Sequence, residues 1–236
     1  KTFFLDLLFP KFCLGCGREG EFLCADCRGI LDINRYAYCL CDKPKRLPES
    51  SKNGKCPNCQ SKKLAGLFAA LPYEEKELTK KLIYRFKYPP YIKNLAKDLA
   101  GLIIEHLAAC EMNIDDIREN GILIPVPLDV KKLKSRGYNQ SEELAKELSK
   151  FFEIPVMPDV LMKTKPTKPQ MELKKEEREK NLLGVFAIKN AEKIRGKKIF
   201  LIDDVYTTGG TMEECAIVLK NAGVKSVWGI AIARDA

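Results

Sequence analysis

The sequence predicts an α/β protein built on a mostly parallel sheet, preceded by a cysteine-rich metal-binding segment. Two observations carry this. Short apolar runs at 67–73, 122–126, 185–188, 199–202 and 227–233 are separated by helical patterns, and strands alternating with helices pair in parallel. Eight of the ten cysteines fall within the first 59 residues, and periodic elements begin only where the cysteines stop. The boundary is expected near residue 65, with a zinc-binding domain at 1–65 and an α/β domain at 66–236.

At 236 residues the chain is long enough for one sizeable core and a small second domain. Its 45% hydrophobic and 31% charged residues fit a globular protein and exclude a disordered or fibrous one. No apolar run approaches the roughly 20 residues of a membrane helix. The stretch Thr2–Phe9 is apolar but short, carries Asp6 and has no small-residue cleavage site, so it is a poor signal peptide. A short amphipathic helix and a cytoplasmic protein are expected. The formal net charge is +9. Eight metal-bound thiolates and two Zn²⁺ ions would bring it to about +5, which weakens any nucleic-acid argument from charge alone.

The cysteines come in four pairs: Cys13-x2-Cys16, Cys24-x2-Cys27, Cys39-x-Cys41 and Cys56-x2-Cys59. Each pair supplies two thiolates from one tight turn, as tetrahedral Zn²⁺ requires. Two closed, structural zinc sites follow most simply: Cys13, Cys16, Cys24 and Cys27, then Cys39, Cys41, Cys56 and Cys59. An interleaved pairing stays open. Cys39-x-Cys41 is one residue shorter than a usual knuckle. A disulfide framework would need an oxidising compartment, and a redox dithiol would be one isolated pair rather than four. Residues 1–65 hold little apolar material, so metal would supply much of their folding free energy. Cys215 shares a helical face with Val218, Leu219 and Ala222 and reads as core. Cys110 and His106, the only histidine, read as structural.

Beyond Gly66 a strand is expected at Leu67–Tyr73, then helices at Glu74–Phe86 and Ile92–Ala109. Tyr84–Tyr91 between them interleaves aromatic and basic residues; it reads as a helix end with a proline turn, with base stacking as the alternative. Ile122–Val126 reads as a buried strand opening through Pro125-Val-Pro127 into a basic loop, Asp129–Arg136, with Lys131, Lys132, Lys134 and Arg136. A basic loop at the end of a parallel strand is where such sheets bind anions. A helix is expected from Gly137-Tyr-Asn139 to about Phe152. After Val160–Lys163, the segment Thr164–Lys180 is highly charged with two prolines and reads as a mobile excursion, suited to a flexible lid.

The most informative stretch follows the run Ile199–Ile202: Asp203-Asp-Val-Tyr-Thr-Thr-Gly-Gly-Thr211, then a helical pattern over Met212–Ala222. Gly209 and Gly210 permit positive φ and close approach of a ligand to the backbone. The helix directs its positive end and free N–H groups at the loop. Thr207, Thr208 and Thr211 add hydroxyl donors. Such a loop suits a phosphate, and Asp203 and Asp204 suit ribose hydroxyls or Mg²⁺ through water.

This loop resembles the phosphoribosyl-pyrophosphate (PRPP) loop of type I phosphoribosyltransferases. That resemblance implies that Asp203 and Asp204 hold the ribose and Thr207–Thr211, with Gly209 and Gly210, the 5′-phosphate. Taken with Leu8-Phe-Pro10 before the cysteines, Arg136-Gly-Tyr-Asn-Gln140 after Pro127, and Gln170, Leu173, Arg178 and Asn181 before Phe186, the chain resembles the ComF family of competence-associated, double zinc-ribbon phosphoribosyltransferase-like proteins. The resemblance implies a type I phosphoribosyltransferase-like sheet and Mg²⁺ bound with PRPP. It makes Arg136 a candidate pyrophosphate contact and Lys87, with Tyr88, a site lysine. It also implies a part in uptake of single-stranded DNA beside a helicase-like competence partner, with Lys131, Lys132, Lys134 and Arg85 as candidate backbone contacts. The alternative is an active Mg²⁺-dependent phosphoribosyltransferase of nucleotide or amino-sugar metabolism with an open acceptor.

Overall fold

The computed structural model describes residues 10–48, 54–73, 77–165 and 184–235. The helix expected at 2–9 lies outside these residues, as do Gln170, Leu173, Arg178 and Asn181 and nearly all of the charged excursion. Four strands form a parallel sheet in the order β1 (Gly66–Pro72), β6 (Ser226–Arg234), β5 (Lys198–Tyr206), β2 (Gly121–Pro125). Between β1 and β2 run helices α2 (Glu77–Lys87), α3 (Leu95–Ala109) and the short α4 (Ile114–Arg118); α1 (Ala25–Gly29) belongs to the cysteine-rich segment. Helices α5 (Val130–Arg136) and α6 (Gln140–Phe152) follow β2, and α7 (Gly210–Asn221) joins β5 to β6. A separate antiparallel pair, β3 (Leu161–Lys163) and β4 (Phe186–Ile188), forms the described stem of the charged excursion.

The sheet is buried on both faces, which is why its strands read as continuous apolar runs. Alternate side chains of each strand enter different cores. Phe200, Ile202, Ile230, Ile232, Leu123 and Phe68 join one, with α2, α3 and α6. Ile199, Leu201, Val227, Ala231, Ile122 and Leu67 join the other, with Met212, Cys215 and Leu219 of α7. Cys215 is fully buried and burial pushes its thiol up, so it is core. His106 is buried as well: its ring nitrogen Nδ1 lies 2.6 Å from the Asn34 carbonyl, and burial lowers its basicity. Cys110 beside it is raised to about 11 by burial.

The run at 185–188 does not join the parallel sheet as expected: β4 pairs antiparallel with β3 instead. Two further local expectations need correction. The basic stretch after Pro127 is a helix rather than a loop. The Asp129 carboxylate accepts from Lys131 N–H at 2.9 Å and caps its start, and Gly137, at φ +80°, ends it in the left-handed conformation glycine tolerates. Gly137 therefore separates two helices. The second begins at Gln140 behind the Asn139 cap, whose side chain accepts from Ser141 N–H at 3.1 Å. The other correction concerns β5, which runs on to Tyr206. The neighbouring β6 pairs with it through Tyr206↔Arg234, so Asp203 and Asp204 stand on the strand rather than after it.

Phe200 is 2% exposed at the centre of the sheet. Phe200→Ala should cost about 3–5 kcal/mol in denaturant unfolding of the metal-loaded chain. A cost below about 1 kcal/mol would contradict this packing.

Candidate functional site

The cysteines resolve into two groups. The sulfurs of Cys13, Cys16, Cys24 and Cys27 lie within 4.8 Å of one another, and so do those of Cys39, Cys41, Cys56 and Cys59. The pairing is sequential, and the short Cys39-x-Cys41 turn still delivers both thiols. A tetrahedron of sulfurs about 2.3 Å from Zn²⁺ has edges of about 3.8 Å. The Cys16–Cys24, Cys41–Cys56 and Cys56–Cys59 separations are 3.6, 3.5 and 3.8 Å, so the donor sets fit the ion. Local geometry explains the spacing. Phe12 bridges Glu19 across the Cys13–Cys16 knuckle and Tyr38 bridges Arg46 across the Cys39–Cys41 turn, giving each cluster a zinc-ribbon-like arm. A Cβ at Gly15 would lie 2.5 Å from Cys27 Sγ, so that turn position must be glycine.

Backbone N–H groups point at the sulfurs: Cys24 to Cys13 at 3.4 Å, Lys45 to Cys39 at 3.2 Å and Cys56 to Cys59 at 3.3 Å. Against the opposing effect of burial, such contacts bring Cys13 down to about 6. Burial together with the neighbouring thiols pushes Cys27 up to about 12. Four crowded thiols cannot all ionise alone; a cation among them removes that conflict.

The second site lies at the carboxyl end of β5, in the middle of the sheet. Asp204 is 4% exposed and Asp203 half-buried. Their charge is met by three elements. Lys87 Nζ, from the end of α2, is 2.8 Å from Asp204 Oδ1. Gln140 Nε2, from the start of α6, donates to Asp204 Oδ2 at 2.7 Å, and Ser141 Oγ to Asp203 Oδ1 at 3.2 Å. The Asp204 and Val205 N–H groups donate to the two carboxylates at 2.9 and 2.6 Å. Arg136 reaches the pair indirectly, by donating to Gln140 Oε1. The loop Thr207–Gly209 then turns into α7. Gly209 takes φ +78°, and a Cβ there would lie 2.1 Å from the Tyr206 hydroxyl, so both conformation and space demand glycine. Helix α7 begins directly after this turn, so its positive end lies beside it.

The structure thus gathers Lys87, Arg136, Asp203, Asp204 and the start of α7 around one place. Lys131, Lys132 and Lys134 are exposed on α5, and Arg85 is half-buried on α2. Lys163, at the excursion's stem, is lowered by burial and by Lys132, while Asp129 and Asp203 oppose that shift. Sequence reasoning assigned no role to Gln140 and Ser141. Their signal was present in the Arg136–Gln140 motif, but what they bond depends on how α6 meets β5.

Burial and the adjacent Asp204 carboxylate raise the Asp203 carboxyl from 3.8 to about 7, against the pull of Lys87, the Asp204 N–H and Ser141. A folded-state pKa raised above the unfolded value means stability present at low pH and lost as pH climbs through 7. Asp203→Asn should therefore melt higher than the parent at pH 8, the gap closing as pH falls from 7 towards 4. A gap constant across that range, read by thermal melts in matched buffers, would contradict the raised value.

Residues 133–235 match the family model "Phosphoribosyl transferase domain". The chain is 28% identical to "Competence protein F" of Haemophilus influenzae over 227 residues, covering 89% of this chain and 97% of that protein. It is 25% identical to "DNA utilization protein YhgH" of Escherichia coli (strain K12), covering 87% of this chain and 93% of the relative. "Competence protein ComFC" of Bacillus subtilis is 27% identical, covering 87% and 81%. Similarity over 87–89% of the chain, together with the transferase-domain match, supports the resemblance to the ComF family of phosphoribosyltransferase-like proteins.

Proposed function

We propose that the chain binds PRPP with Mg²⁺ in the 203–211 cradle and serves the uptake of single-stranded DNA beside a helicase-like partner. The domain division at residue 65 belongs to the same proposal, with Zn²⁺ in both cysteine clusters of the N-terminal part. The observation that carries the ligand is the compensated acid pair placed against a glycine turn and a helix start. Two carboxylates at a strand end suit vicinal hydroxyls, and the turn suits a phosphate. Asp203 and Asp204 also offer the oxygen donors Mg²⁺ takes, and the ion when bound offsets pyrophosphate charge. Arg136, one side chain away from Asp204, would add charge on the pyrophosphate side.

DNA handling rests on the relatives' names and on surface chemistry. Lys131, Lys132 and Lys134 are exposed on α5, the helix that ends in Arg136. Tyr84 and Tyr88 are exposed on one face of α2 and its end, with ring centroids 4.9 Å apart, and the half-buried Arg85 follows Tyr84 in sequence. Aromatic faces interleaved with cations suit unpaired bases. Among the described residues no helix is long and apolar enough to cross a membrane.

A second reading, turnover of PRPP to a nitrogen acceptor, is favoured by the completeness of the cradle. The chain would bind and orient the ribose through Asp203 and Asp204 and shield it from water.

Calorimetry with PRPP and Mg²⁺ should show one site per chain, weakened more than about tenfold in Asp203→Asn/Asp204→Asn, since two charged hydrogen-bonding groups are lost. Absence of binding to the metal-loaded parent would remove the PRPP reading. Pyrophosphate release over a panel of acceptors separates turnover from binding. Affinity for an oligodeoxythymidylate should fall with salt, and replacing Lys131, Lys132 and Lys134 by Ala should flatten the log–log slope by about 2. An unchanged slope would take those lysines out of the interface.

A further inference from the structure

The second cysteine cluster is wired to the cradle, and the first is not wired the same way. The register of β5 with β6 sets Arg234 opposite Tyr206, and Asp235 N–H donates to the Tyr206 carbonyl at 2.9 Å. The Arg234 side chain turns away from solvent, 6% exposed, and forks onto the cysteine cluster. Its Nη1 donates to the Cys39 carbonyl at 2.6 Å and its Nη2 to the Cys41 carbonyl. The same guanidinium lies 5.2 Å from the centre of the Tyr206 ring. The Tyr206 hydroxyl in turn occupies the space a Cβ at Gly209 would need, directly under the turn.

A second connection runs through α7. Glu213, in its first turn, accepts from the N–H groups of Lys63 and Leu64, the latter at 3.2 Å, just past the Cys56–Cys59 knuckle. Glu213 N–H closes the turn by donating to the Gly209 carbonyl at 2.8 Å. Lys62 Nζ donates to the Leu40 carbonyl at 2.8 Å, so the two halves of the cluster are tied to each other as well. Cys39, Leu40, Cys59 and Leu64 share one hydrophobic core with Tyr206 and Met212, which bracket the turn. The first cluster is joined elsewhere: Arg28 pairs with Glu105 on α3, and Cys13, Cys24 and Cys27 enter the opposite core.

Electrostatics gives these contacts a direction. Four thiolates around a divalent ion carry a net charge of about −2. A buried guanidinium held on two ligand carbonyls is stabilised by that charge and by the fixed positions of those carbonyls. Loss of the ion removes that charge and loosens the Cys39–Cys41 turn that presents the two carbonyls, leaving Arg234 less firmly held over Tyr206.

We propose that the metal in the Cys39–Cys41–Cys56–Cys59 cluster sets the shape of the 207–211 turn, so that metal and cradle ligand bind cooperatively, with Arg234, Tyr206 and Glu213 as positioning residues. The proposal rests on reading the cluster as a zinc site and the cradle as the PRPP site. Reciprocity follows: if the metal improves the cradle, the cradle's ligand must tighten the metal by the same factor.

The test uses the full chain. Amide hydrogen exchange across 207–214 is compared in Cys41→Ser and Cys16→Ser, which empty the second and first cluster respectively. Faster exchange is expected in Cys41→Ser only; equal exchange in the two overturns the proposal. If Cys41→Ser does not fold, the same amides are followed in the parent while a chelator removes zinc, and exchange that ignores loss of the second metal overturns it. Zinc release to a chromogenic chelator is then timed with and without PRPP and Mg²⁺. One of the two ions should leave about fivefold more slowly or better with ligand present. That slowing should persist in Cys16→Ser and vanish in Glu213→Ala, which keeps all eight cysteines. Slowing of both ions, or of neither although calorimetry shows PRPP bound, overturns it. If calorimetry shows no PRPP binding, the ligand reading fails by itself and the exchange arm alone decides the coupling.

Discussion

A pair of adjacent carboxylates at the buried end of the central strand is the constraint on which the rest of this site depends. Asp204 is buried and Asp203 half-buried beside it, and burial with the neighbouring carboxylate raises the cost of ionising Asp203. A buried anion pair survives only if its surroundings answer it. Here the answer comes from three different parts of the chain: Lys87 from the end of α2, Gln140 and Ser141 from the start of α6, and the strand's own N–H groups. The two helices are held in place through the same core. Tyr138, just before α6, donates its hydroxyl to the Phe86 carbonyl at 2.7 Å, and Phe86 precedes the lysine that pairs with Asp204. Burial and Asp204 raise the Asp203 carboxyl towards neutrality, the kind of shift that gathers at functional sites.

The cysteine clusters solve the opposite problem. Their segment is poor in apolar residues, and each set of four thiols could hold a cation. Each cluster then docks on a different side of the sheet. The first meets the helices that carry Lys87's neighbours; the second meets α7 and the end of β6. The cysteine-rich segment is therefore part of both cores of the molecule, and what it binds bears on how the strand ends are held.

Much of the molecule was legible before its structure. The parallel sheet followed from continuous apolar runs, because a strand covered on both faces has no polar side to betray it. The zinc-ribbon-like clusters followed from cysteine spacing, because two thiols in one turn have few other uses in such numbers. The strand–loop–helix cradle followed from acids, hydroxyls and glycines converging within nine positions. The misreadings were local and have physical causes. The lysine-rich stretch after Pro127 looked like a loop because it has no apolar face, yet Asp129 and Gly137 cap it at both ends as a helix. The acids looked as if they followed the strand because the apolar run stops at Ile202, yet pairing with β6 carries the strand to Tyr206.

The sequence by itself determined the chemistry on offer: which cysteines can ligate metal, which acids, hydroxyls and glycines meet in one strand–loop–helix, and in what order most strands and helices occur. Those properties are set by residue type and by spacings of a few positions, which local backbone geometry alone decides. Tertiary structure decided the assembly. It chose sequential over interleaved cysteine pairing, gave Gln140 and Ser141 to the acids, and laid Arg234 across carbonyls nearly 200 positions away in the chain. Such contacts join segments remote in sequence, and no local pattern records them, because each partner's own neighbourhood would look the same whatever it came to touch.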